Sequence, residues 1–213
     1  AVKAMQPIIE QVGGIANIKA MGIGAPNGNY YKGTIEMAPN LPWAHDTIVP
    51  LADLFSEALG IPVALTNDAN AAAIGEMTYG VARGMKDFIV ITLGTGVGSG
   101  IVTGGRLLYG SDGFAGELGH VIMRRDGGRP CGCGRNGCLE AYCSATGVAR
   151  TAREMLANTD RPSLLREMNP NDITSLDVSI AAGKGDEMAN EIYQFTGNML
   201  GEACADFAVF SSP

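Results

Sequence analysis

Three cysteines and one histidine lie close together in the chain, and they constrain its fold more than any other feature. Ten, one and four residues separate them, in the order His120, Cys131, Cys133 and Cys138. Three thiolates and one imidazole complete a tetrahedral shell for Zn²⁺, which leaves no coordination position open for chemistry. Intervening glycines let the backbone wrap closely around a small ion. The spacing therefore predicts a structural zinc site, and a loop of free thiols is the alternative.

Composition narrows the classes of protein to which the chain can belong. The 213 residues are 46% hydrophobic and carry a formal net charge of −7, without a basic stripe that would attract nucleic acid. No apolar run approaches the roughly 18 residues of a membrane span, and we expect no signal peptide. Five cysteines, four of them within thirteen positions, are typical of metal binding in a reducing compartment. We therefore expect a cytoplasmic protein without nucleic-acid or membrane partners.

Apolar runs of strand length alternate with helical apolar patterns, and this order predicts the α/β class. Strands are expected at 18–23, 62–66 and 88–93, and helices at 2–12, 47–59, 69 to about 79, 139–156 and 187–210. The Gly104-Gly105 pair lies between two further apolar runs and predicts a two-residue hairpin turn. Residues 158–177 are polar and are expected to be irregular.

Asn67 and Asp68 follow the predicted strand at 62–66 and precede a predicted helix. The carboxyl ends of strands are where α/β proteins place ligands, so Asp68 is a candidate to accept a proton from a substrate hydroxyl. Asn67 can bond a neighbouring hydroxyl through both its donor and its acceptor. Both residue types are also favoured helix caps, and capping alone is an equally good interpretation of the pair.

Alternating glycines follow the predicted strand at 88–93, in the sequence L-G-T-G-V-G-S-G-I. Such glycines expose backbone N–H groups and let an anion approach them closely, and the threonine adds a hydroxyl donor. The candidate phosphate ligands are Gly94, Thr95 and Gly96. A tight glycine hairpin without a ligand is the alternative, because neither of the common nucleotide-binding glycine spacings is present.

Two glutamates flank the predicted metal ligands. Glu117 stands three residues before His120, and Glu140 stands two residues after Cys138. A metal site would hold both carboxylates in place, and two fixed acceptors can bind adjacent sugar hydroxyls by charge-assisted hydrogen bonds. Hydrogen bonding to the metal-bound histidine is the alternative role for them.

The motifs occur in one order: G-A-P-N-G, N-D-A-N, L-G-T-G-V-G-S-G-I, and then G-E-L-G-H with C-G-C-G-R-N-G-C-L-E. This combination resembles the ROK family of bacterial sugar kinases and repressors, and looks most like its glucokinases. The resemblance implies an actin-like ATPase (ribonuclease H-like) fold, with two lobes that close on a hexose and on ATP with Mg²⁺. A glycolytic hexose kinase is the activity that it implies.

The same resemblance implies a role for each candidate residue. Asp68 is the general base for the 6-hydroxyl of the hexose. The residues that hold the sugar are Asn67, Glu117, His120 and Glu140, and the histidine is shared with zinc. The second phosphate loop, which contacts ATP, contains Gly94, Thr95 and Gly96.

The resemblance also predicts how the chain is organised. Residues 1–78 are expected to be a remnant of the N-terminal α/β lobe, and residues 79–213 the larger lobe with the zinc loop, truncated at its C-terminus. The chain begins without methionine, and the family's first phosphate loop is absent from it. We therefore expect a piece of a longer kinase, with weak sugar binding and no useful activity by itself. The apolar last helix is a possible homodimer contact.

Three other functions stay open at this point. One is a sugar-sensing transcription repressor of the same family, and another is an N-acetylmannosamine kinase. A third, from a different class, is a zinc-stapled interaction module without affinity for sugars. The motifs do not distinguish which hexose is the substrate.

Overall fold

The computed structural model describes residues 2–213, and the chain divides into two compact units. The first unit comprises the residues up to Val90 together with Gly100–Gly116, and the second comprises Ile91–Ser99 together with Glu117–Pro213. The lobe boundary after residue 78 that the family resemblance implies stays a prediction.

Helices and strands alternate along most of the chain, as the α/β class requires. In chain order they are α1 (Val2–Gln11), β1 (Met21–Gly24), β2 (Gly28–Asn29), β3 (Thr34–Glu36), β4 (Ile48–Val49), α2 (Leu51–Leu59), β5 (Val63–Thr66), α3 (Asp68–Tyr79), β6 (Phe88–Leu93), β7 (Val97–Thr103), β8 (Arg106–Leu107), α4 (Glu140–Cys143), α5 (Ala145–Asn158), α6 (Ser175–Gly183) and α7 (Glu187–Ser211). Among residues 2–213, no helix combines the length and the apolar character that crossing a membrane requires.

The first unit contains a parallel strand pair, β1 with β5, whose register runs from Met21 opposite Val63 to Gly24 opposite Thr66. Because the strands are parallel, their carboxyl ends meet at one edge. Beside them, β2, β3 and β4 form a small antiparallel sheet. The buried apolar residues of this part are Ala25, Ile35, Ala38, Ala44, Ala52 and Leu65.

One predicted helix of this unit begins later than the sequence pattern indicates. Residues 47–59 have helical apolar spacing, but Ile48 and Val49 pair with β3 and leave the helix to start at Leu51. The predicted end is confirmed, because Gly60 adopts the left-handed conformation (φ 69°) that closes a helix without steric cost.

The predicted hairpin is confirmed between β7 and β8. Thr103 lies opposite Arg106, and both turn glycines have positive φ, 57° at Gly104 and 75° at Gly105. That combination is the turn geometry that matches the twist of the flanking strands. The third strand of the sheet, β6, is the neighbour of β7 on its other side.

The second unit is mainly helical, and its core lies where α5, α6 and α7 pack together. The buried residues of that core are Val148, Ala152, Leu156, Leu165, Ile173, Val178, Ala181, Met188, Ala189 and Ile192. The predicted helix at 187–210 is confirmed as α7. The 25 residues of α7 begin at an N-cap aspartate, Asp186, whose side chain accepts the Ala189 N–H.

Two expectations for this unit were wrong. The segment 139–156 is broken into α4 and α5 at Ser144, whose backbone is extended and whose hydroxyl caps α5 by accepting the Gly147 N–H at 3.0 Å. Residues 158–177 are not wholly irregular, because α6 begins within them. Thr174 and Asp177 start α6 with a capping box, in which each side chain accepts the other residue's backbone N–H.

Candidate functional site

Asn67 and Asp68 lie where β5 ends and α3 begins, as predicted. The Asn67 side chain accepts the Ala69 and Asn70 N–H groups at 2.8 and 3.5 Å, so it caps the helix. Asp68 is exposed, and its Oδ1 accepts the Ala69 N–H at 2.8 Å. Capping is therefore one role of Asn67, while the Asp68 carboxylate is accessible to a ligand at the edge of the sheet.

The G-A-P-N-G loop stands at the same edge of the first unit. Gly24 ends β1 opposite Thr66, and the Ala25 N–H donates to the Thr66 carbonyl at 2.9 Å. Asn27 is left-handed (φ 53°), and its amide donates to the carbonyls of Glu36 and Met37. The loop is thus fixed beside Asn67 and Asp68.

A second asparagine in this unit was not singled out in the sequence. Asn29 is fully buried, and its amide donates to the Asp112 carbonyl at 2.9 Å while its Oδ1 accepts the Tyr31 and Lys32 N–H groups. We call this set of bonds the amide clip. It joins the end of β2 to a loop 83 residues away, so no local pattern in the sequence could have indicated it.

The four predicted metal ligands converge in the second unit. Their ligand atoms all lie within 4.8 Å of one another, with Cys131 Sγ 3.6 Å from His120 Nδ1 and Cys133 Sγ 3.6 Å from Cys138 Sγ. A tetrahedron with metal–sulfur bonds of about 2.3 Å has edges of about 3.8 Å. The ligand cluster, as we call His120, Cys131, Cys133 and Cys138, therefore has the donor set and the spacing of a tetrahedral metal site.

Backbone hydrogen bonds hold the ligand cluster in shape. The Leu139 N–H donates to the Val121 carbonyl at 2.9 Å, and the Gly137 N–H donates to the Arg129 carbonyl at 2.8 Å.

Burial raises the pKa of the Cys131 thiol to about 12. Burial opposes ionisation of Cys133 as well, but hydrogen bonds from Arg135 lower the pKa of that thiol to about 6. The hydrogen bonds from Arg135 thus favour the thiolate form of Cys133, the form in which a cysteine binds a metal.

Arg129 connects the ligand cluster to the helices, and it too was not singled out in the sequence. Its guanidinium is 9% exposed and donates to Glu154 at 2.6 Å and to the Thr151 hydroxyl at 2.9 Å. The guanidinium carbon lies 4.7 Å from the centroid of the Tyr142 ring, whose hydroxyl accepts the Arg129 N–H. Its partners Thr151 and Glu154 lie 22 and 25 residues away in the chain, so no local pattern indicated this role.

Glu117 and Glu140 lie in the second unit, as the ligand cluster does. Glu117 is exposed and directly precedes the 3-10 turn that ends at His120. Glu140 is half-buried at the start of α4, and its Oε2 accepts the Val97 N–H at 3.0 Å. Cys131 Sγ lies 3.6 Å from the other carboxylate oxygen, Oε1. Glu140 therefore contacts one predicted metal ligand, Cys131, rather than the histidine that the alternative role named, so both roles of the glutamates stay predictions.

The glycine loop at 94–97 belongs to this unit as well. Gly94 donates to the Gly96 carbonyl at 3.0 Å, which closes a tight turn between β6 and β7. A cavity of about 250 Å³ lies near this loop, beside Glu140, Thr146, Gly147 and Arg150. Thr146 connects the two features, because it lines the cavity and its hydroxyl donates to the Thr95 carbonyl at 3.3 Å.

The candidate residues are therefore divided between the units. Asn67 and Asp68 belong to the first unit. The second unit brings together the ligand cluster, both glutamates and the glycine loop, namely His120, Cys131, Cys133, Cys138, Glu117, Glu140, Gly94, Thr95 and Gly96.

Comparisons with known proteins agree on one family. A profile of the ROK family matches residues 2–213. A glucokinase of Halalkalibacterium halodurans is 40% identical over 200 residues, which are 93% of this chain and 60% of that protein. The chain thus spans less than two thirds of the length of this curated relative.

Solved structures resemble the chain over its whole length. A ROK glucokinase from Streptomyces griseus, in complex with glucose and AMPPNP, has a TM-score of 0.79 and 36% identity, covering 100% of this chain and 70% of that one. A ROK transcriptional regulator, a homolog of the E. coli MLC protein, has a TM-score of 0.83 and 27% identity, covering 100% of this chain and 52% of that one. These likenesses confirm the predicted α/β class and the actin-like ATPase fold.

Proposed function

Because the chain belongs to the ROK family, we propose that the whole protein is a hexose kinase that phosphorylates the 6-hydroxyl of its substrate with ATP. Glucose is the hexose that the similarity to glucokinases favours. The observation that carries the proposal is the set of site residues in this chain: an accessible aspartate at a strand end, a glycine loop, and two glutamates beside the ligand cluster.

The proposed reaction assigns Asp68 to proton transfer. The hydroxyl proton passes to the Asp68 carboxylate, the hydroxyl oxygen bonds to the γ-phosphorus, and the bond from that phosphorus to the bridging oxygen breaks to release ADP. The accessibility of Asp68 supports this role, since a base must reach the hydroxyl directly or through one water. Asn67, Glu117, His120 and Glu140 would orient the hexose, and orientation lowers the barrier by removing the entropy cost of encounter.

Phosphate binding is assigned to the loop formed by Gly94, Thr95 and Gly96. Backbone N–H groups of such a loop can donate to phosphate oxygens, and the cavity beside Thr146 and Arg150 offers room for other parts of the nucleotide. When Mg²⁺ is bound with ATP, it neutralises charge on the phosphates.

We assign the ligand cluster to zinc. The donor set, three thiols and one imidazole, and the mutual distances within 4.8 Å support Zn²⁺ over harder cations. Four protein ligands leave no open position, so the residues would hold the ion as a structural element and keep Glu140 beside it. None of the five cysteines of the described chain forms a disulfide, which supports a reducing location such as the cytoplasm.

The test of the proposal is the activity of the full-length protein. We expect ADP release that depends on a hexose, with glucose preferred over mannose, fructose and N-acetylmannosamine in a coupled assay. Asp68→Asn should lower kcat by about 10²–10⁴-fold, because a general base contributes that much, while hexose binding persists. A preference for N-acetylmannosamine would show that this sugar, and not glucose, is the substrate of the kinase.

Asp53→Asn is the matched control for this substitution. Asp53 is also an exposed aspartate in the first turn of a helix, and it lies in the same unit. We expect its kcat to equal that of the parent. Hexose-independent ATP use, or full activity of Asp68→Asn, would contradict the proposal.

A sugar-sensing repressor is the second candidate, because the chain also resembles the ROK transcriptional regulator over its whole length. The accessible Asp68 and the glycine loop favour the kinase, since a sensor needs neither proton transfer nor ATP. Hexose binding without turnover, together with DNA binding by the full-length protein, would favour the repressor. The predicted homodimer stays a prediction in either case.

A further inference from the structure

Glu140 has more contacts than the binding of a sugar requires. Its Oε2 accepts the Val97 N–H at 3.0 Å, and Val97 directly follows the phosphate loop. Its Oε1 lies 3.6 Å from Cys131 Sγ, in the ligand cluster. One carboxylate therefore joins the residues next to a metal site to the residues next to a phosphate site, within a single compact unit.

The segment after Glu140 holds the same loop at two further points. The Ala145 N–H donates to the Gly94 carbonyl at 2.8 Å, and the Thr146 hydroxyl donates to the Thr95 carbonyl at 3.3 Å. Three residues of one seven-residue segment, Glu140, Ala145 and Thr146, thus hold the backbone of Gly94, Thr95 and Val97. A loop held in this way keeps its backbone donors aimed without rearrangement when an anion arrives.

Gly96 shows how closely the carboxylate and the loop approach each other. A Cβ atom added at Gly96 would lie 2.4 Å from Glu140 Oε2, closer than atoms of two side chains can approach. At Gly94, in the same loop, an added Cβ would meet no atom within 4 Å. The two glycines therefore differ in one respect that can be tested: only a side chain at Gly96 must displace Glu140.

We propose that Glu140 is a shared positioning residue, which holds the phosphate loop through the Val97 N–H while it holds the hexose. The inference rests on the proposed function for its hexose contact. It has a direct consequence, because a change in the phosphate loop that displaces Glu140 must weaken hexose binding even when no nucleotide is present.

The experiment measures hexose binding to the full-length protein by calorimetry, with glucose and without nucleotide. Gly96→Ala should raise the Kd for glucose by about tenfold or more, the effect of losing a hydrogen bond to a charged group. Gly94→Ala should bind glucose as the parent does, whatever its turnover with ATP. A phosphate loop that acted on the nucleotide alone would leave glucose affinity unchanged in both variants, and that result would overturn the proposal.

A second measurement tests the contact without any ligand. Amide hydrogen exchange of the peptide that contains 94–97 should be faster in Glu140→Ala and Gly96→Ala than in the parent, because the Val97 N–H loses its acceptor. Glu140→Gln, which keeps an acceptor oxygen at the same reach, should restore slow exchange. Equal exchange in Glu140→Ala and the parent would refute the contact, whereas slow exchange in a parent without hexose affinity would refute only the proposed function.

Discussion

The two units fix their irregular loops by different means, and the contrast explains what the sequence can and cannot reveal. In the second unit the ligand cluster gathers four side chains from nineteen consecutive positions, His120 to Cys138. In the first unit the amide clip uses one buried side chain, Asn29, to hold a carbonyl 83 residues away. The ligand cluster is formed by nearby residues of rare types, whereas the amide clip depends on a common residue type and a partner far away in the sequence.

The amide clip and the ligand cluster also differ in whether they need a bound cation. The amide clip is complete within the protein, since each of its three hydrogen bonds has a backbone partner. The ligand cluster places three thiols of unequal pKa together, and thiols become tight ligands only as thiolates around a cation. We therefore expect the second unit to depend on its metal and the first unit to be independent of it.

The largest effect is expected from a substitution that removes one side chain of the ligand cluster. Cys138→Ser removes a fully buried ligand, and structural zinc in small peptides contributes on the order of 10–16 kcal/mol to folding. We expect the variant to lose its zinc and to unfold at a clearly lower temperature, as measured by metal analysis and thermal denaturation. Chelation of the parent should have the same effect.

Cys204→Ser is the control for the loss of a thiol. Cys204 is exposed on α7 and lies outside the ligand cluster, so its substitution should change neither zinc content nor melting temperature. If Cys138→Ser kept the zinc content of the parent, the assignment of the cluster would be wrong.

The sequence predicted features that depend on local rules. The ligand spacing, the Gly104-Gly105 turn, the cap at Asn67 and the strand at β5 all follow from a few adjacent residues. The strands β2 to β4 were missed because two or three residues have no detectable periodicity. The start of α6 was missed although T-S-L-D carries a capping signature, which the polar composition of the segment concealed.

The candidate site divides in the same way. Sequence motifs indicated each proposed ligand of sugar, phosphate and metal, because each stands in or beside a distinctive pattern. They could not indicate Arg129, the Thr146 contact with the phosphate loop, or the bond from Glu140 to Val97, since these contacts join segments that only the fold brings together. Such residues position others, and a positioning role has no characteristic spacing.

The second prediction breaks the amide clip. Asn29→Ala removes the fully buried side chain that one carbonyl and two part-buried N–H groups share, which should destabilise the first unit by about 1–3 kcal/mol. Zinc content should stay at the parent level, because the metal ligands belong to the other unit. Urea unfolding together with metal analysis measures both quantities.

Asn17→Ala provides the comparison for this variant. Its exposed amide donates a single hydrogen bond to the Val12 carbonyl, so we expect a change within about 0.5 kcal/mol. A loss of zinc in Asn29→Ala would show that the two devices are not independent.

The smallest effect is expected at Asp186, a charged side chain that holds a loop as the neutral Asn29 does. Asp186 resembles Asn29 in that its carboxylate accepts the Leu164 N–H and the Ser163 hydroxyl from a distant loop, besides capping α7. Burial opposes ionisation, but these hydrogen bonds prevail and lower the pKa of Asp186 in the folded protein. Between the folded pKa and the unfolded value of about 4, the unfolded chain binds more protons, so stability falls as the pH drops.

Asp186→Asn should therefore cost about 1 kcal/mol at pH 7 and lose this difference from the parent as the pH falls below about 4. Asp160→Asn, an exposed carboxylate of the same unit, should match the parent throughout. The Asn29 amide does not titrate in this range, so any pH dependence in Asn29→Ala should come through Glu36, whose carboxylate accepts a hydrogen bond from Asn29. A pH-independent penalty in Asp186→Asn would show that its charge contributes nothing, and that the two clips hold their loops by hydrogen bonding alone.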